Sequence, residues 1–227
     1  MTERISTGVE GLDELIEGGV PEGSTILISG SAGMGKTIFS SQFLWEGLQK
    51  GERCLFITLE EDEEDILGDA DEFGWSFRDE ERFSIEYINP FTEDFTFDSN
   101  VRGYINEHNP DRVVIDPVSM IGMGLDSNAP GEVRKELYEI IKQMKGEEVT
   151  TLFTTEKPDE DNLTRYGVEE YVVDGVFIMK GLGFGGDMGR KLTVQKMRRT
   201  NFEHDVYPVE IDENGLKVKE PEKGLSL

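Results

Sequence analysis

The sequence is poor in side chains that bind metals through nitrogen or sulfur, with one cysteine and two histidines among 227 residues. The single cysteine, Cys54, has no partner for an internal disulfide, and its apolar run CLFITL is typical of a buried strand. His108 and His204 lie far apart and lack the spacing of a zinc site. We therefore expect no disulfide framework and no metal centre built on cysteine or histidine.

Basic residues are also scarce, since 23 Lys and Arg oppose 48 Asp and Glu, for a formal charge of −25. Nucleic-acid-binding proteins usually present a basic face, so this balance argues against nucleic acid as a partner. The acidic excess is spread along the chain, and hydrophobic residues still make up 36% of it, which indicates a folded protein with an acidic surface. Because salt screens the repulsion within such a surface, we take a halophilic source as a hypothesis.

Long apolar runs are missing as well. No stretch of the sequence is long enough to span a membrane, and the first residues lack the basic-then-apolar pattern of a secretion signal. We therefore expect a cytoplasmic protein without a membrane partner. The length suits one domain with a sizeable core, which we place at residues 1–220, followed by a flexible tail at residues 221–227.

The sequence does contain an alternation of apolar strand patterns and amphipathic helix patterns. Strands are predicted at 24–30, 53–59, 83–88, 112–116 and 149–155, and helices at 35–50, 62–73, 97–108 and 131–145. Such alternation predicts an α/β fold with a mostly parallel central sheet flanked by helices. Four further strand patterns without helices between them are expected to extend the sheet as antiparallel strands, at 171–180, 190–198, 205–211 and 215–218.

The segment GSAGMGKT, from Gly30 to Thr37, fits the pattern G-x-x-x-x-G-K-[ST] between a predicted strand and a predicted helix. In this context the pattern binds nucleotide phosphates, because the glycines let successive backbone N–H groups point at phosphate oxygens. The Lys36 ammonium would neutralise the outer phosphates, and the Thr37 hydroxyl would ligate Mg²⁺. The predicted cofactors are therefore ATP and Mg²⁺. The predicted nucleotide-binding residues are Ser31, Ala32, Gly33, Met34, Gly35, Lys36, Thr37 and Ile38.

A second glycine-rich segment, GLGFGG at residues 181–186, spells the dinucleotide-binding pattern G-x-G-x-x-G. It precedes another strand pattern, so no helix N-terminus is available to hold a pyrophosphate. We interpret this segment as a hairpin loop.

Carboxylates follow two of the predicted strands, at the sheet edge where ligands bind in folds of this class. Asp116 closes the strand RVVID and is predicted to join Thr37 in holding the metal. Glu60 and Glu61 follow the strand at 53–59 and are candidates for aligning the attacking water. Because carboxylates also favour helix N-termini, a solvated acidic helix start is the alternative interpretation of this run.

The order of several segments and their amino-acid sequences resemble the RecA superfamily, and more closely its KaiC-like ATPases. The resemblance rests on the glycine-rich motif and on residues 6–24, 57–62, 73–75, 112–116, 150–156, 196–200 and 207–208. It implies a RecA-like P-loop NTPase core that hydrolyses ATP. It also implies that Glu60 and Glu61 form the catalytic pair, since paired glutamates after the second strand distinguish these ATPases from recombinases.

The resemblance implies a further role for the segment KMRRT at 196–200. In the family, a Lys-x-Arg pair on a late strand reaches the nucleotide of the neighbouring subunit. Lys196 and Arg198 would then be trans-acting catalytic groups in a homo-oligomer, expected to be a hexameric ring. The residues alone leave open a basic cluster that only balances surface charge. Arg199 stands where the family usually has glycine, and Phe202 where it often has histidine.

Three functions remain in competition on the sequence alone. The first is an ATP-hydrolysing oligomeric switch that acts in signalling or regulation through an unknown protein partner. The second is a recombinase paralogue that binds DNA, which the segments 119–131 and 157–170 disfavour because their carboxylates would repel a phosphate backbone. The third is a nucleotide-gated scaffold with negligible turnover, against which the full set of site residues argues. Autokinase activity on Thr154, Thr155 or Thr164 stays open, as does the choice between ATP and GTP.

Overall fold

A computed structural model describes residues 2–91, 97–123, 125, 130–157, 162–181 and 189–220. The strands are β1 (Arg4–Ile5), β2 (Val20–Pro21), β3 (Thr25–Gly30), β4 (Cys54–Thr58), β5 (Phe83–Tyr87), β6 (Arg112–Asp116), β7 (Thr150–Glu156), β8 (Gly175–Gly181), β9 (Arg190–Met197), β10 (Tyr207–Asp212) and β11 (Gly215–Val218). The helices are α1 (Leu12–Leu15), α2 (Lys36–Gln49), α3 (Glu63–Glu72), α4 (Phe97–His108), α5 (Pro130–Gly146) and α6 (Glu169–Val172). Short 3₁₀ helices cover Phe77–Asp79 and Val118–Met123.

A nine-stranded sheet runs through the described residues in the order β11–β10–β9–β8–β3–β7–β6–β4–β5. From β8 to β5 in this order, neighbouring strands pair in parallel. Strands β9, β10 and β11 continue the sheet by antiparallel pairing. The predicted α/β fold, with its mostly parallel sheet and antiparallel C-terminal strands, is confirmed.

One C-terminal strand differs from the prediction. The pattern at 171–180 begins within helix α6 and continues as β8, which pairs antiparallel with β9 but parallel with β3. Eighteen residues, 157–174, separate β7 from β8, enough for a crossover back to the opposite end of the sheet. The prediction that β8 pairs antiparallel with its neighbours was therefore wrong for its pairing with β3.

Both faces of the sheet are buried. Along β4, Cys54 and Phe56 belong to one hydrophobic cluster, which also contains the apolar sides of α1, α2 and α3. Leu55 and Ile57 belong to a second cluster, with the apolar sides of α4 and α5. Because successive strand side chains point to opposite faces, a strand covered on both sides must be apolar throughout. This explains the continuous apolar runs in the sequence.

Several predictions fall on residues outside the described part of the chain. These are most of the hairpin loop at 181–186, part of the polar segment 157–170, and the tail at 221–227. They stay predictions. Within the described residues, no helix combines the length and apolar character needed to cross a lipid bilayer.

Candidate nucleotide site

The carboxyl ends of four parallel strands meet at one edge of the sheet. Gly30, at the end of β3, lies opposite Glu156 of β7, and Thr58 of β4 lies opposite Asp116 of β6. A cavity of about 330 Å³ opens at this edge, between the segment 30–38 and the residues that follow β4 and β6. The predicted glycine-rich motif and the predicted carboxylates therefore line one cavity.

The glycine-rich segment has the backbone of an anion cradle. Gly33 and Gly35 adopt left-handed conformations, with φ of 75° and 94°, which side chains beyond glycine rarely adopt. A Cβ atom on Gly35 would also lie 2.9 Å from Cδ1 of Ile211. Helix α2 begins at Lys36, and its first turn carries no acidic residue even in this acidic chain. The first turn of α2 therefore offers its backbone N–H groups at the cavity with no acidic side chain of its own to cap them, which fits a phosphate ligand.

The Lys36 side chain folds back over the cradle. Its Nζ donates hydrogen bonds to the backbone oxygens of Gly30, at 3.0 Å, and Ser31, at 3.2 Å. Burial lowers the pKa of the Lys36 ammonium, and the carboxylates of Asp116 and Glu156 oppose that shift. A phosphate oxygen beside Nζ would offset the same desolvation, so the position suits a phosphate-neutralising cation.

Thr37 and Asp116 form the centre of a candidate Mg²⁺ site. The Thr37 hydroxyl donates to one Asp116 carboxylate oxygen at 2.9 Å, and the Thr154 hydroxyl donates to the other. Burial raises the pKa of Asp116, and the hydrogen bonds from Thr154 and Thr37 oppose this rise. A hydroxyl and a carboxylate beside a phosphate cradle are the hard oxygen ligands that Mg²⁺ prefers. The donor set therefore fits the predicted metal.

Thr58 holds the turn that carries the two candidate glutamates. Its hydroxyl donates to the backbone oxygen of Glu61 at 2.8 Å and accepts from the Glu61 N–H at 3.1 Å. Glu60 and Glu61 both line the cavity. Burial is the main cause that raises the pKa of Glu61, and the charge of Asp116 adds to it. A carboxylate with a raised pKa beside the phosphate cradle is suited to accept a proton from water.

The alternative interpretation of the acidic run at 60–65, a solvated helix start, applies to residues 63–65. Helix α3 begins at Glu63, and its first turn contains Glu63, Glu64 and Asp65. These residues occupy the positions that complement a helix dipole. Glu60 and Glu61 precede the helix, so a helix-start role does not account for them.

The predicted nucleotide-binding residues differ in whether their side chains or only their backbone atoms are available to a ligand. Ala32, Gly33 and Ile38 line the cavity together with Lys36 and Thr37. The Met34 side chain is buried in the hydrophobic cluster that covers α2, so only its backbone is available to a ligand. Ser31 is exposed, and its carbonyl holds Lys36.

Sequence reasoning missed three charged residues that line the cavity, in addition to Thr58. Glu156 ends β7 at the ligand edge and pairs with Arg165 at 2.7 Å. Asp69 reaches the cavity from α3, and Arg190, at the start of β9, donates to the Gly33 carbonyl at 3.3 Å. The strand-end position could have indicated Glu156. For Arg190 the sequence offered no such signal, because its place depends on how β9 pairs with β8.

Lys196 and Arg198 lie at the opposite end of the sheet from the cavity, where the parallel strands begin. The Lys196 end of β9 pairs with the start of β8, roughly 15–20 Å along the strand from the cavity. Lys196 Nζ donates to the backbone oxygens of Glu170, at 2.9 Å, and Val173, at 2.7 Å. Arg198 lies 3.4 Å from a carboxylate oxygen of Asp174. The two residues are therefore remote from the cavity of their own chain.

Arg199 and Phe202, the two positions expected to depart from the family pattern, make defined contacts in the structure. Arg199 has φ of 59°, in the left-handed region, and its carbonyl accepts a hydrogen bond from Arg4 at 2.9 Å. Glycine adopts this conformation without strain, whereas an arginine in it is strained. The Phe202 ring packs against the hydrophobic cluster and contacts His204 edge-on, with centroids 4.9 Å apart.

Comparison with known proteins agrees with this geometry. The profile of the family described as "ATPase: KaiC" matches residues 5–223. The circadian clock oscillator protein KaiC of Parathermosynechococcus lividus is 35% identical over 226 residues, which are 93% of this chain and 41% of that protein. The chain thus spans less than half the length of the KaiC proteins it matches.

Two archaeal proteins match over nearly their whole length. A UPF0273 protein of Methanopyrus kandleri is 33% identical over 97% of this chain and 93% of its own. The crystal structure of a KaiC-like protein from Pyrococcus horikoshii OT3 superposes with a TM-score of 0.86 at 34% identity, covering 97% of this chain and all of the other. These matches support ATP binding and ATPase chemistry in general. The chain belongs to the KaiC family of ATPases.

Proposed function

We propose that this protein is an ATP-hydrolysing oligomeric switch, with active sites between subunits, that acts on a protein partner. The observation that carries the proposal is the convergence of three separate strand ends on one cavity. Lys36 and Thr37 follow β3, Glu61 follows β4, and Asp116 ends β6. A protein that only held a nucleotide would need the cradle but not a glutamate fixed beside it.

The residues of one chain take distinct roles in this proposal. The backbone of 32–37 and the Lys36 ammonium bind the phosphates, while Thr37 and Asp116 hold Mg²⁺. Mg²⁺, when bound, neutralises charge that develops on the terminal phosphate. Glu61, with Glu60 beside it, orients the attacking water and accepts its proton.

The other half of the site comes from a neighbouring subunit. Lys196 and Arg198 are too far from their own cavity to contact its ligand, and they lie at the edge opposite to it. In a head-to-tail assembly, the end of the sheet that carries Lys196 and Arg198 in one copy faces the cavity of the next copy. Such contacts close into a ring when the rotation between neighbouring copies permits. Lys196 and Arg198 then stabilise transition-state charge in trans.

A complementation experiment tests the shared site. Glu61→Gln removes the general base from a subunit's own cavity, and Arg198→Ala removes the group that it offers to its neighbour. Each variant alone should assemble and hydrolyse ATP slowly. Mixed rings should regain part of the activity, because some interfaces combine an intact Glu61 with an intact Arg198.

Phosphate release and oligomer mass are measured in the same samples, with separately assembled and then mixed variants as the control. Recovery only after subunit exchange supports the trans site. Active monomers, or mixed rings that stay inactive, contradict it. Tight ATP binding without turnover in the unmutated protein would indicate the scaffold instead.

A further inference from the structure

A groove beside helices α5 and α6 gathers basic side chains in a chain where acids outnumber bases 48 to 23. None of the described residues that line this groove is acidic. The five cations that define this basic groove are Arg134, Lys135, Lys142, Lys145 and Arg198. Such a local reversal of the protein's charge calls for a physical explanation.

The basic groove is built by the polar side of α5. Its apolar side, including Leu137, Ile140 and Met144, is buried against the sheet. Helical spacing then places Arg134, Tyr138 and Lys142 in successive turns on the outside. The buried side explains why α5 packs where it does. The outer side also carries Glu132, Glu136 and Glu139, which do not line the groove, so the cations are the charged residues of α5 that face it.

The groove is largely uncompensated. Lys145 and Arg198 share one carboxylate, Asp174, at 2.9 Å and 3.4 Å. Among the described residues, Lys135 and Lys142 have no ion-pair partner. The basic groove therefore keeps a net positive charge that an anionic partner would neutralise.

Two exposed aromatic rings add contact surface to the groove. Tyr138 is 56% exposed and Tyr171 is 62% exposed. The Arg134 guanidinium lies over the Tyr171 ring, 5.9 Å from its centroid. Exposed tyrosines and arginines are the residue types enriched where proteins bind each other.

We infer that the basic groove receives the acidic segment 60–65 of a second copy of this chain. That segment reads EEDEED, and its residues are exposed at the surface, except that the Glu61 side chain is partly buried where it lines the cavity. The inference rests on the proposed function, because Arg198 lines the groove and Glu60 and Glu61 line the cavity that Arg198 is proposed to reach. When Arg198 of one copy meets the cavity of the next, the groove and the segment 60–65 come together.

This pairing gives the assembly a direction. Two copies with a formal charge of −25 each repel one another, and a local attraction between opposite patches selects the orientation in which they meet. Single-stranded nucleic acid would also suit cations and tyrosines, but nothing else about the groove favours it, whereas the acidic segment 60–65 borders the cavity that Arg198, a residue of the groove, is proposed to reach. We therefore assign the groove to the second copy.

Charge reversal tests the inference in the full chain. The groove variant is Lys135→Glu/Lys142→Glu, and the segment variant is Glu63→Lys/Asp65→Lys, which leaves Glu60 and Glu61 intact. The matched control is Arg53→Glu/Arg82→Glu, which makes the same charge change at two exposed cations outside the groove. The concentration of half-assembly is measured by mass photometry with ATP at one fixed salt concentration, and thermal unfolding checks that each variant folds.

The groove variant should raise the half-assembly concentration at least about tenfold, since like charges would then meet across the interface. The segment variant should do the same, the control should not, and combining both reversals should restore assembly. Folded groove variants that assemble like the unmutated protein would overturn the inference. So would a combined variant that fails to recover, or a labelled oligo-dT that binds the unmutated groove and is lost in the variant.

Failure of the inference is distinguishable from failure of the proposed function. Normal assembly of the groove variant, together with recovery of activity in the mixed Glu61→Gln and Arg198→Ala rings, would reject only the groove pairing. Monomers of the unmutated protein that hydrolyse ATP at full rate would reject the shared active site, and the groove pairing with it.

Discussion

Replacing Glu61 by glutamine tests the catalytic assignment with the least structural change. The side chain keeps its size, and the two hydrogen bonds between Thr58 and the Glu61 backbone, at 2.8 Å and 3.1 Å, do not involve the carboxylate. A positioned general base contributes about 10²–10⁴-fold to a rate, which corresponds to about 3–5 kcal/mol of transition-state stabilisation. We expect Glu61→Gln to lower ATP turnover by a factor in that range.

The same substitution should not destabilise the protein. Burial and the charge of Asp116 raise the pKa of Glu61 in the folded state. A carboxyl with a raised folded-state pKa stabilises the fold below its unfolded-state pKa, and that contribution is lost as pH rises through the folded-state value. At neutral pH the charged form is therefore the unfavourable one, and Glu61→Gln should unfold at the same temperature as the unmutated protein or a higher one.

The measurements are phosphate release from ATP, oligomer mass and thermal unfolding, each across a pH series. Unmutated turnover should fall as pH drops through the pKa of Glu61, which burial and the charge of Asp116 raise from its ordinary value. Glu72→Gln is the control, because Glu72 ends α3, does not line the cavity and lies outside the segment 60–65. Unchanged turnover in Glu61→Gln, at unchanged oligomer mass, would refute the assignment of Glu61 as the base.

Three other substitutions have outcomes that the geometry predicts. Asp116→Asn should raise the Mg²⁺ concentration needed for turnover, because it removes the charged metal ligand, and it should leave the fold stable, because that charge is buried. A Mg²⁺ titration of the ATPase rate measures the first effect, and an unchanged Mg²⁺ requirement would contradict it. Gly35→Ala should weaken ATP binding in an equilibrium binding assay, because its φ of 94° costs a side chain about 1–2 kcal/mol and the new Cβ would meet Ile211. Arg199→Gly should raise the free energy of unfolding by up to about 1 kcal/mol in denaturant, since it relieves a left-handed arginine while keeping the carbonyl that Arg4 binds; a loss of stability would speak against that account.

The site was predictable where local chemistry and chain order decide the position. Gly33 and Gly35 adopt conformations that favour glycine, and Asp116 ends a strand that is apolar because both faces of the sheet are covered. Parallel strands then bring these ends to one edge. The position of Arg190 was not predictable, because no local feature of β9 indicates which strand β9 pairs with or in which register.

The same distinction applies to the fold. Alternating strand and helix patterns predicted the parallel part of the sheet, but they did not predict that β8 would pair parallel with β3 on one side and antiparallel with β9 on the other. A strand covered on both faces is apolar in either direction, so its sequence does not record the direction of its neighbours. That choice depends on the crossover between β7 and β8 and on burial of the whole sheet.

By itself the sequence determined the α/β fold class, the phosphate cradle and the carboxylates of the candidate site, because backbone conformation, hydrophobic alternation and charge are local properties. Only the tertiary structure decided that Lys196 and Arg198 lie at the edge away from their own cavity, and that five cations meet in one groove. Those relations join residues that are distant in the chain, and they arise from the pairing of β8 with β9 and the packing of α5 on the sheet.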